Sequence, residues 1–160
     1  MSIQVGDRIP NVSLSVMTAD GPADLSTDEI FSGKKVVLFA LPGAFTPTCS
    51  AAHVPGYVVH HDEIKSKGVD TIACLSVNDA FVMGAWGEAQ NVEGNILMLG
   101  DGSATFTQAV GLELDLTENN FGVRSQRYAM VVEDGVVSHL NVEEGGGFEV
   151  SNAETILTLL

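Results

Sequence analysis

A run of six apolar residues at positions 36–41, Val-Val-Leu-Phe-Ala-Leu, constrains the fold of this chain more than any other stretch. The run is rich in β-branched and aromatic residues, and Pro42-Gly43 breaks it directly afterwards. Such a run is typical of a strand that is buried on both faces of a sheet. The sequence therefore predicts a buried central strand, and the residues after Pro42 follow its carboxyl end.

The residues after this strand carry the signals of a helix start. Thr46 and Thr48 have hydroxyl groups that can cap free backbone N–H groups, and Pro47 is of a type tolerated in the first helical turn. Cys49 would then lie in the first turn of a helix. There the positive end of the helix dipole and several unpaired N–H donors favour a nucleophilic thiolate. We therefore interpret Cys49 as a reactive cysteine.

The spacing around Cys49 resembles that of a known family. Pro42, Thr46 and Cys49 match the Pro-x-x-x-Thr-x-x-Cys motif of the peroxiredoxins. The fuller segment at 42–49, Pro-Gly-Ala-Phe-Thr-Pro-Thr-Cys, looks like the type II, or peroxiredoxin-5-like, subgroup. The resemblance extends over residues 5–160 and implies a thioredoxin-like fold, a homodimer, and a peroxidase that reduces hydrogen peroxide and alkyl hydroperoxides.

The chemistry that the resemblance implies can be assigned to four residues. A thiolate that attacks a peroxide needs donors for the charge that develops on the oxygens, and it needs exclusion of water. Thr46 lies within one helical turn of Cys49, so its hydroxyl can donate to the sulfur or to the attacked oxygen, while Pro42 can shield the sulfur. Arg127 begins an Arg-x-x-Met-Val-Val segment similar to the one that carries the peroxiredoxin arginine, and its planar fork of donors could hold both sulfur and peroxide. We expect no cofactor and no metal.

The route by which oxidised Cys49 is reduced again stays open. Cys74 is placed like the second cysteine of plant type II members, where that residue is assigned as the resolving thiol. Because a disulfide requires Cα atoms within about 7 Å, a bond from a buried strand would need local unfolding. The other route is reduction by an external partner, either glutathione with glutaredoxin or thioredoxin.

Other interpretations of the same residues are also open. Cys49 and His53 are four apart, which would place them on one helix face as a hydrolase pair or half a metal site, although we favour His53 as a hydrogen-bonding residue beneath the site. A redox-sensing, partner-binding protein switched by oxidation of Cys49 is the alternative function. Met83 and Trp86 are three apart and could form an apolar dimer patch or pack in the core.

Charge and composition exclude some classes of function. The chain has 7 Lys and Arg against 21 Asp and Glu, a net charge of −14, which repels nucleic acid and anionic membrane surfaces. Its first residues lack a basic and apolar leader, and no later run reaches membrane-spanning length. Two cysteines in a chain without an export signal are more typical of reduced or catalytic thiols than of a structural disulfide. We therefore expect a cytoplasmic protein of one domain, residues 1–160.

The remaining elements complete the expected α/β fold, a single thioredoxin-like domain with a mixed central β-sheet flanked by helices. Asp134-Gly135 is a two-residue turn favoured in hairpins. Gly145-Gly146-Gly147 is interpreted as a flexible surface loop without a function. The predicted strands are 12–16, 36–41, 69–77, 96–99, 127–133 and 136–142; the predicted helical segments are 25–31, 49–67 with an apolar face that includes Val59 and a kink at Pro55, 79–90, 103–110 and 153–160.

Overall fold

A computed structural model describes residues 1–160. The strands are β1 (Ser13–Thr18), β2 (Gly21–Ser26), β3 (Lys35–Ala40), β4 (Thr71–Ser76), β5 (Leu97–Gly100), β6 (Glu113–Leu116), β7 (Gly122–Ser125), β8 (Tyr128–Glu133) and β9 (Val136–Val142). The helices are α1 (Thr27–Phe31), a π-helical segment (Cys49–His53), α2 (Val54–Ser66), α3 (Ala80–Ala89), α4 (Thr105–Ala109), a 3₁₀ turn (Thr117–Asn119) and α5 (Ala153–Leu157).

Seven of the strands form one mixed sheet in the order β2-β1-β5-β4-β3-β8-β9. Strands β3, β4 and β5 are parallel, and β8 pairs antiparallel to β3. Strands β6 and β7 form a separate two-stranded sheet. The predicted single thioredoxin-like domain with a mixed central sheet flanked by helices is therefore confirmed.

The alternation of side chains along β3 divides the core into two layers. Leu38 and its β3 neighbours at alternate positions pack with residues of α1 and α4, including Phe106. Phe39 lies in the opposite layer, which contains Tyr57 from α2 and residues from α3 and α5. Cys49 belongs to this second layer and shares it with Phe39 of β3. The loop that follows β3 leads to Cys49.

Several predicted elements differ in the structure. Strands β2, β6 and β7 were not predicted, and the predicted segment 25–31 is helical only from Thr27 onward, after Ser26 closes a capping box. The last helix ends at Leu157 and not at residue 160. Val59 is 74% exposed, so its assignment to the apolar face of α2 is wrong.

The prediction that Met83 and Trp86 form an apolar dimer patch is wrong. Both side chains are fully buried on the core side of α3. The indole N–H of Trp86 donates to the hydroxyl of Ser50 at 3.0 Å, which ties α3 to the start of the reactive helix. Core packing is therefore the correct interpretation of this pair.

No helix in the structure combines the length and the apolar character needed to cross a membrane.

Candidate active site

Cys49 begins a π-helical segment that continues directly into α2. The backbone N–H of Val54 donates to the carbonyl of Cys49, an i→i+5 bond. Pro55 has no N–H and therefore cannot close a regular i→i−4 bond, so the predicted distortion at Pro55 takes the form of a π-helical turn before it. Such turns occur frequently at functional sites. Cys49 is 1% exposed, in the first turn of the helix as predicted.

Arg127 reaches Cys49 from the other side of the site. The residue lies directly before β8, whose Tyr128 pairs with Ala40 at the end of β3, so sheet pairing brings Arg127 to the edge where Cys49 lies. Its Nη2 donates to the sulfur of Cys49 at 3.3 Å. Its Nη1 donates to Nδ1 of His53 at 2.8 Å. The arginine and the cysteine that the sequence singled out are thus in direct contact.

The hydrogen bonds of His53 fix its tautomer. Nε2 lies 3.1 Å from the carbonyl of Ser151, which can only accept, so this nitrogen carries the proton. Nδ1 faces the Arg127 guanidinium, which can only donate, so this nitrogen must be unprotonated. Burial, with the Arg127 charge adding to it, lowers the pKa of His53 to about 3, and the imidazole is therefore neutral at pH 7.

These contacts decide between the interpretations of His53. Both ring nitrogens already have partners other than Cys49, so the hypothesis of a Cys49–His53 hydrolase pair is wrong. The ring also lies 4.9 Å, centroid to centroid, from that of Phe39 and is fully buried. His53 is the hydrogen-bonding residue beneath the site that we favoured from the sequence.

Thr46 and Pro42 lie at the mouth of the site. The hydroxyl of Thr46 donates to the carbonyl of Gly43 at 2.7 Å and does not cap the helix, so the predicted capping role is wrong. Since its one proton is engaged, the Thr46 oxygen presents lone pairs and no donor to its surroundings, so the predicted donation from Thr46 to the sulfur or to the attacked oxygen is corrected: the proton goes to Gly43. A largely apolar pocket of about 320 Å³ opens here, lined by Pro42, Thr46, Pro47, Thr48, Leu116, Phe121 and Arg127.

Arg124 is a second arginine beside the site. It lies on β7, the strand that was not predicted, and its Nη1 donates to the carbonyl of Pro42 at 3.2 Å. Its Nε donates to the carbonyl of Phe121 at 2.9 Å. Arg124 therefore links the small β6–β7 sheet to the loop that contains Pro42.

Phe148 was missed in the sequence. Its ring lies edge-on to His53, with 5.0 Å between centroids, and the Arg127 guanidinium carbon is 5.7 Å from its centroid. A cation over an aromatic face is attracted by the ring quadrupole, so the contact supports the arginine. The glycine loop at 145–147, interpreted from the sequence as a surface loop without a function, leads directly to Phe148. An aromatic residue directly after a glycine run was the available signal.

Cys74 is on β4 and faces the same core layer as Cys49. Its side chain is fully buried, and it pairs with Phe39 in the parallel β3–β4 ladder. Burial, followed by the proximity of Cys49, raises the pKa of the Cys74 thiol well above its ordinary value. Both cysteines are free thiols, and only Cys49 contacts Arg127.

Comparisons with known proteins give consistent results over nearly the whole chain. The family model described as Redoxin matches residues 4–157. Peroxiredoxin-2E, a chloroplastic protein of Arabidopsis thaliana, is 48% identical over 163 residues, which cover 99% of this chain and 70% of that protein. Reduced Prx3 from Vibrio vulnificus in complex with hydrogen peroxide is 60% identical, with a TM-score of 0.95 and coverage of 98% of both chains. Peroxiredoxin 5 from Alvinella pompejana is 36% identical, with a TM-score of 0.87 and coverage of 98% of this chain and 96% of that one.

Proposed function

Because the chain belongs to the type II group of the peroxiredoxins, a family of thiol peroxidases, we propose that it reduces hydrogen peroxide and alkyl hydroperoxides at Cys49. The observation that carries this proposal is the 3.3 Å contact between the Arg127 guanidinium and the Cys49 sulfur, at the edge of an open pocket. A structure of the 60% identical Prx3 from Vibrio vulnificus contains hydrogen peroxide, which supports the choice of substrate.

In the proposed reaction the Cys49 thiolate attacks one peroxide oxygen. A sulfur–oxygen bond forms, the oxygen–oxygen bond breaks, and the leaving oxygen takes up a proton and departs as water or an alcohol. Arg127 donates to the sulfur and to the oxygens as charge develops on them. Thr46, whose proton is engaged by Gly43, accepts a hydrogen bond from the peroxide O–H, and Pro42 shields the sulfur from water. Cys49 becomes a sulfenic acid.

Reduction of the sulfenic acid then requires a thiol. In the first step a sulfur–sulfur bond forms and water leaves; a second thiol releases Cys49 from the mixed disulfide. The full burial of Cys74 and its raised pKa favour an external thiol, from glutathione with glutaredoxin or from thioredoxin. A bond between Cys49 and Cys74 is the competing route, and it requires β4 or the reactive helix to open.

Intact-protein mass spectrometry tests this proposal directly. Wild type, Cys49→Ser and Cys74→Ser would each be treated with one equivalent of hydrogen peroxide, with and without reduced glutathione. We expect a sulfenic acid that becomes a glutathione adduct in wild type and in Cys74→Ser, and no change in Cys49→Ser. A loss of two hydrogens in wild type alone would instead assign Cys74 as the resolving thiol.

Steady-state turnover separates a peroxidase from a redox sensor. With an excess of peroxide and a thiol donor, a peroxidase consumes many equivalents, whereas a sensor stops after one oxidation of Cys49. We expect repeated turnover in wild type and none in Cys49→Ser. Peroxide consumption by Cys49→Ser at the wild-type rate would refute the assignment of the nucleophile.

The proposal includes a homodimer. Phe45 and Phe81 are 57% and 65% exposed, and the ring of Phe45 lies 6.3 Å from that of Trp86, which is on α3 together with Phe81. Large exposed aromatic side chains of this kind are enriched at protein interfaces. Sedimentation equilibrium of wild type and Phe81→Glu tests the dimer, and identical monomeric masses would contradict it.

The cytoplasm is the compartment that we propose. Two free thiols, one of them fully buried, suit a reducing environment. Immunoblotting of cell fractions tests this, and recovery only from an organelle or outside the cell would contradict it.

A further inference from the structure

Glu143 directly follows β9 and lies beside Arg127, whose carbonyl accepts its backbone N–H at 2.9 Å. Its carboxylate accepts the N–H groups of three consecutive residues. Oε1 and Oε2 lie 3.0 and 2.9 Å from the N–H of Glu149, and Oε2 lies 2.9 Å from that of Val150 and 2.8 Å from that of Ser151. The hydroxyl of Ser151 adds a further bond at 2.7 Å. One carboxylate thus holds the whole segment from residue 149 to residue 151.

This carboxylate holds that segment as an anion. Partial burial acts to raise the pKa of Glu143, but the donors from Glu149, Ser151 and Val150 outweigh it, and the pKa is lowered. The preceding loop includes Gly145 and Gly146, which both have positive φ, a conformation that glycine adopts without strain. Phe148 directly precedes Glu149, the first residue that Glu143 holds, so this anchor fixes the chain next to the Phe148 ring.

The segment held by Glu143 acts on the reactive cysteine through a chain of contacts. The buried carbonyl of Ser151 accepts from the hydroxyl of Tyr57 at 2.8 Å and from Nε2 of His53 at 3.1 Å. His53 in turn accepts from Nη1 of Arg127, whose Nη2 donates to Cys49. Because the carbonyl fixes the tautomer of His53, it also fixes the acceptor that aims the guanidinium.

We propose that Glu143 is a positioning residue for peroxide reduction. By holding residues 149–151 it places the carbonyl that orients His53, and it places Phe148 against Arg127, so the guanidinium stays aimed at Cys49. This inference rests on the proposed peroxidase function. A purely structural role would affect only folding. The positioning role predicts that a variant which still folds reacts more slowly with hydrogen peroxide.

The substitution that tests this role is Glu143→Gln. The amide keeps the size of the side chain but offers one neutral acceptor oxygen in place of two charged ones, so the bonds to the Oε2 position weaken and the bond to Oε1 is lost. Misplacement of a catalytic group by about 1 Å can cost on the order of 100-fold in rate. We expect the rate constant of Cys49 with hydrogen peroxide to fall about 10-fold or more. Glu144→Gln is the matched control, since its exposed side chain loses the same charge next to Glu143.

The pH dependence of the same rate constant gives a readout that a loss of stability would not produce. The charged and titratable groups around His53 are Arg127 before β8, Glu143 after β9, and Cys49 and Tyr57 on its own helix. In wild type the buried imidazole stays neutral down to a pKa of about 3. When the segment is released and water reaches the ring, its pKa returns toward its ordinary value of 6.5. The rate constant of Glu143→Gln relative to that of Glu144→Gln should therefore fall as the pH is lowered through about 6.5.

The outcomes separate this inference from the proposed function. If wild type does not react with peroxide, the proposed function fails. If wild type reacts and a folded Glu143→Gln matches Glu144→Gln in rate and pH profile, the positioning role is overturned. If circular dichroism shows that Glu143→Gln is unfolded, Glu143→Asp replaces it, because it keeps the charge with a shorter reach. For Glu143→Asp, a smaller fall in the rate constant with hydrogen peroxide, together with a loss of rate at acid pH, supports the role. A rate and pH profile equal to those of wild type overturn it.

Discussion

Arg127 contacts three chemically different groups with one side chain: the sulfur of Cys49, the imidazole of His53 and the ring of Phe148. Its two terminal nitrogens lie in one plane, so a donor that binds His53 holds the other at the sulfur. This coupling is a property of the guanidinium and not of its charge.

Replacing Arg127 by lysine tests that coupling. An ammonium group is a point charge on a flexible stem and cannot donate to Cys49 and His53 with fixed geometry. Loss of one preorganised donor to developing charge costs on the order of 100-fold in rate. We expect the rate constant with hydrogen peroxide to fall by about that factor, as measured by stopped-flow fluorescence of Trp86. Arg8→Lys, the same change in the third arginine, should react at the wild-type rate, and equal rates in all three proteins would show that charge alone is sufficient.

His53 should make the stability of the protein depend on pH. Its pKa is about 3 in the folded protein, below its ordinary value of 6.5, so between these values the unfolded chain binds more protons than the folded one. Stability then falls as pH falls through this window, by about 1.4 kcal/mol per pH unit at most. His53→Gln, which can still accept from Arg127 and donate to Ser151 but does not titrate, should lose this dependence. Urea unfolding between pH 5 and pH 7 measures it, and parallel curves for the two proteins would contradict the buried neutral imidazole.

At the level of residues, the sequence predicted some members of the site but not the contacts between them. Pro42, Thr46 and Cys49 follow from local spacing, and Arg127 from a short segment that resembles the family. The partners of Arg127 could not be predicted in the same way, because His53 is 74 positions away and the bond depends on sheet pairing. The role of Glu143 depends on backbone N–H groups, which have no signature in the amino-acid sequence.

At the scale of elements, the strands that were predicted are those whose side chains carry a strong pattern. β3 and β4 are buried over most of their length, and β8 and β9 flank a turn of two residues with positive φ, Asp134 and Gly135. β2 contains proline and aspartate and is largely exposed at the edge of the sheet, so pairing along β1 creates it where local propensity does not.

The reactive helix shows the same division between pattern and context. Its start near residue 47, its reactive residue and a disturbance at Pro55 follow from sequence. The form of the disturbance, a π-helical turn from Cys49 to His53, was not predicted, and the residues at both of its ends bond to Arg127. A local pattern can place a helix start, but it cannot show how surrounding elements change its winding.

At the scale of the whole molecule, the net charge of −14 should make the rates of the peroxide step and the glutathione step respond differently to salt. Hydrogen peroxide is neutral and is not repelled, whereas glutathione is an anion at neutral pH and must approach against the field of the protein. Arg124 and Arg127 favour the anion close to the site, but at about 0.01 M salt the screening length is roughly 30 Å, so the charge of the entire molecule acts on it. At about 0.1 M salt the screening length is roughly 10 Å, and the local arginines gain weight relative to the distant carboxylates.

We expect the glutathione step to accelerate severalfold over this range, while the peroxide step stays constant. Stopped-flow measurement of both steps checks this, with the neutral thiol dithiothreitol as the control for the second. A glutathione rate that falls with salt would mean that the two arginines dominate the approach at every distance, and that the acidic surface has no part in selecting the reductant.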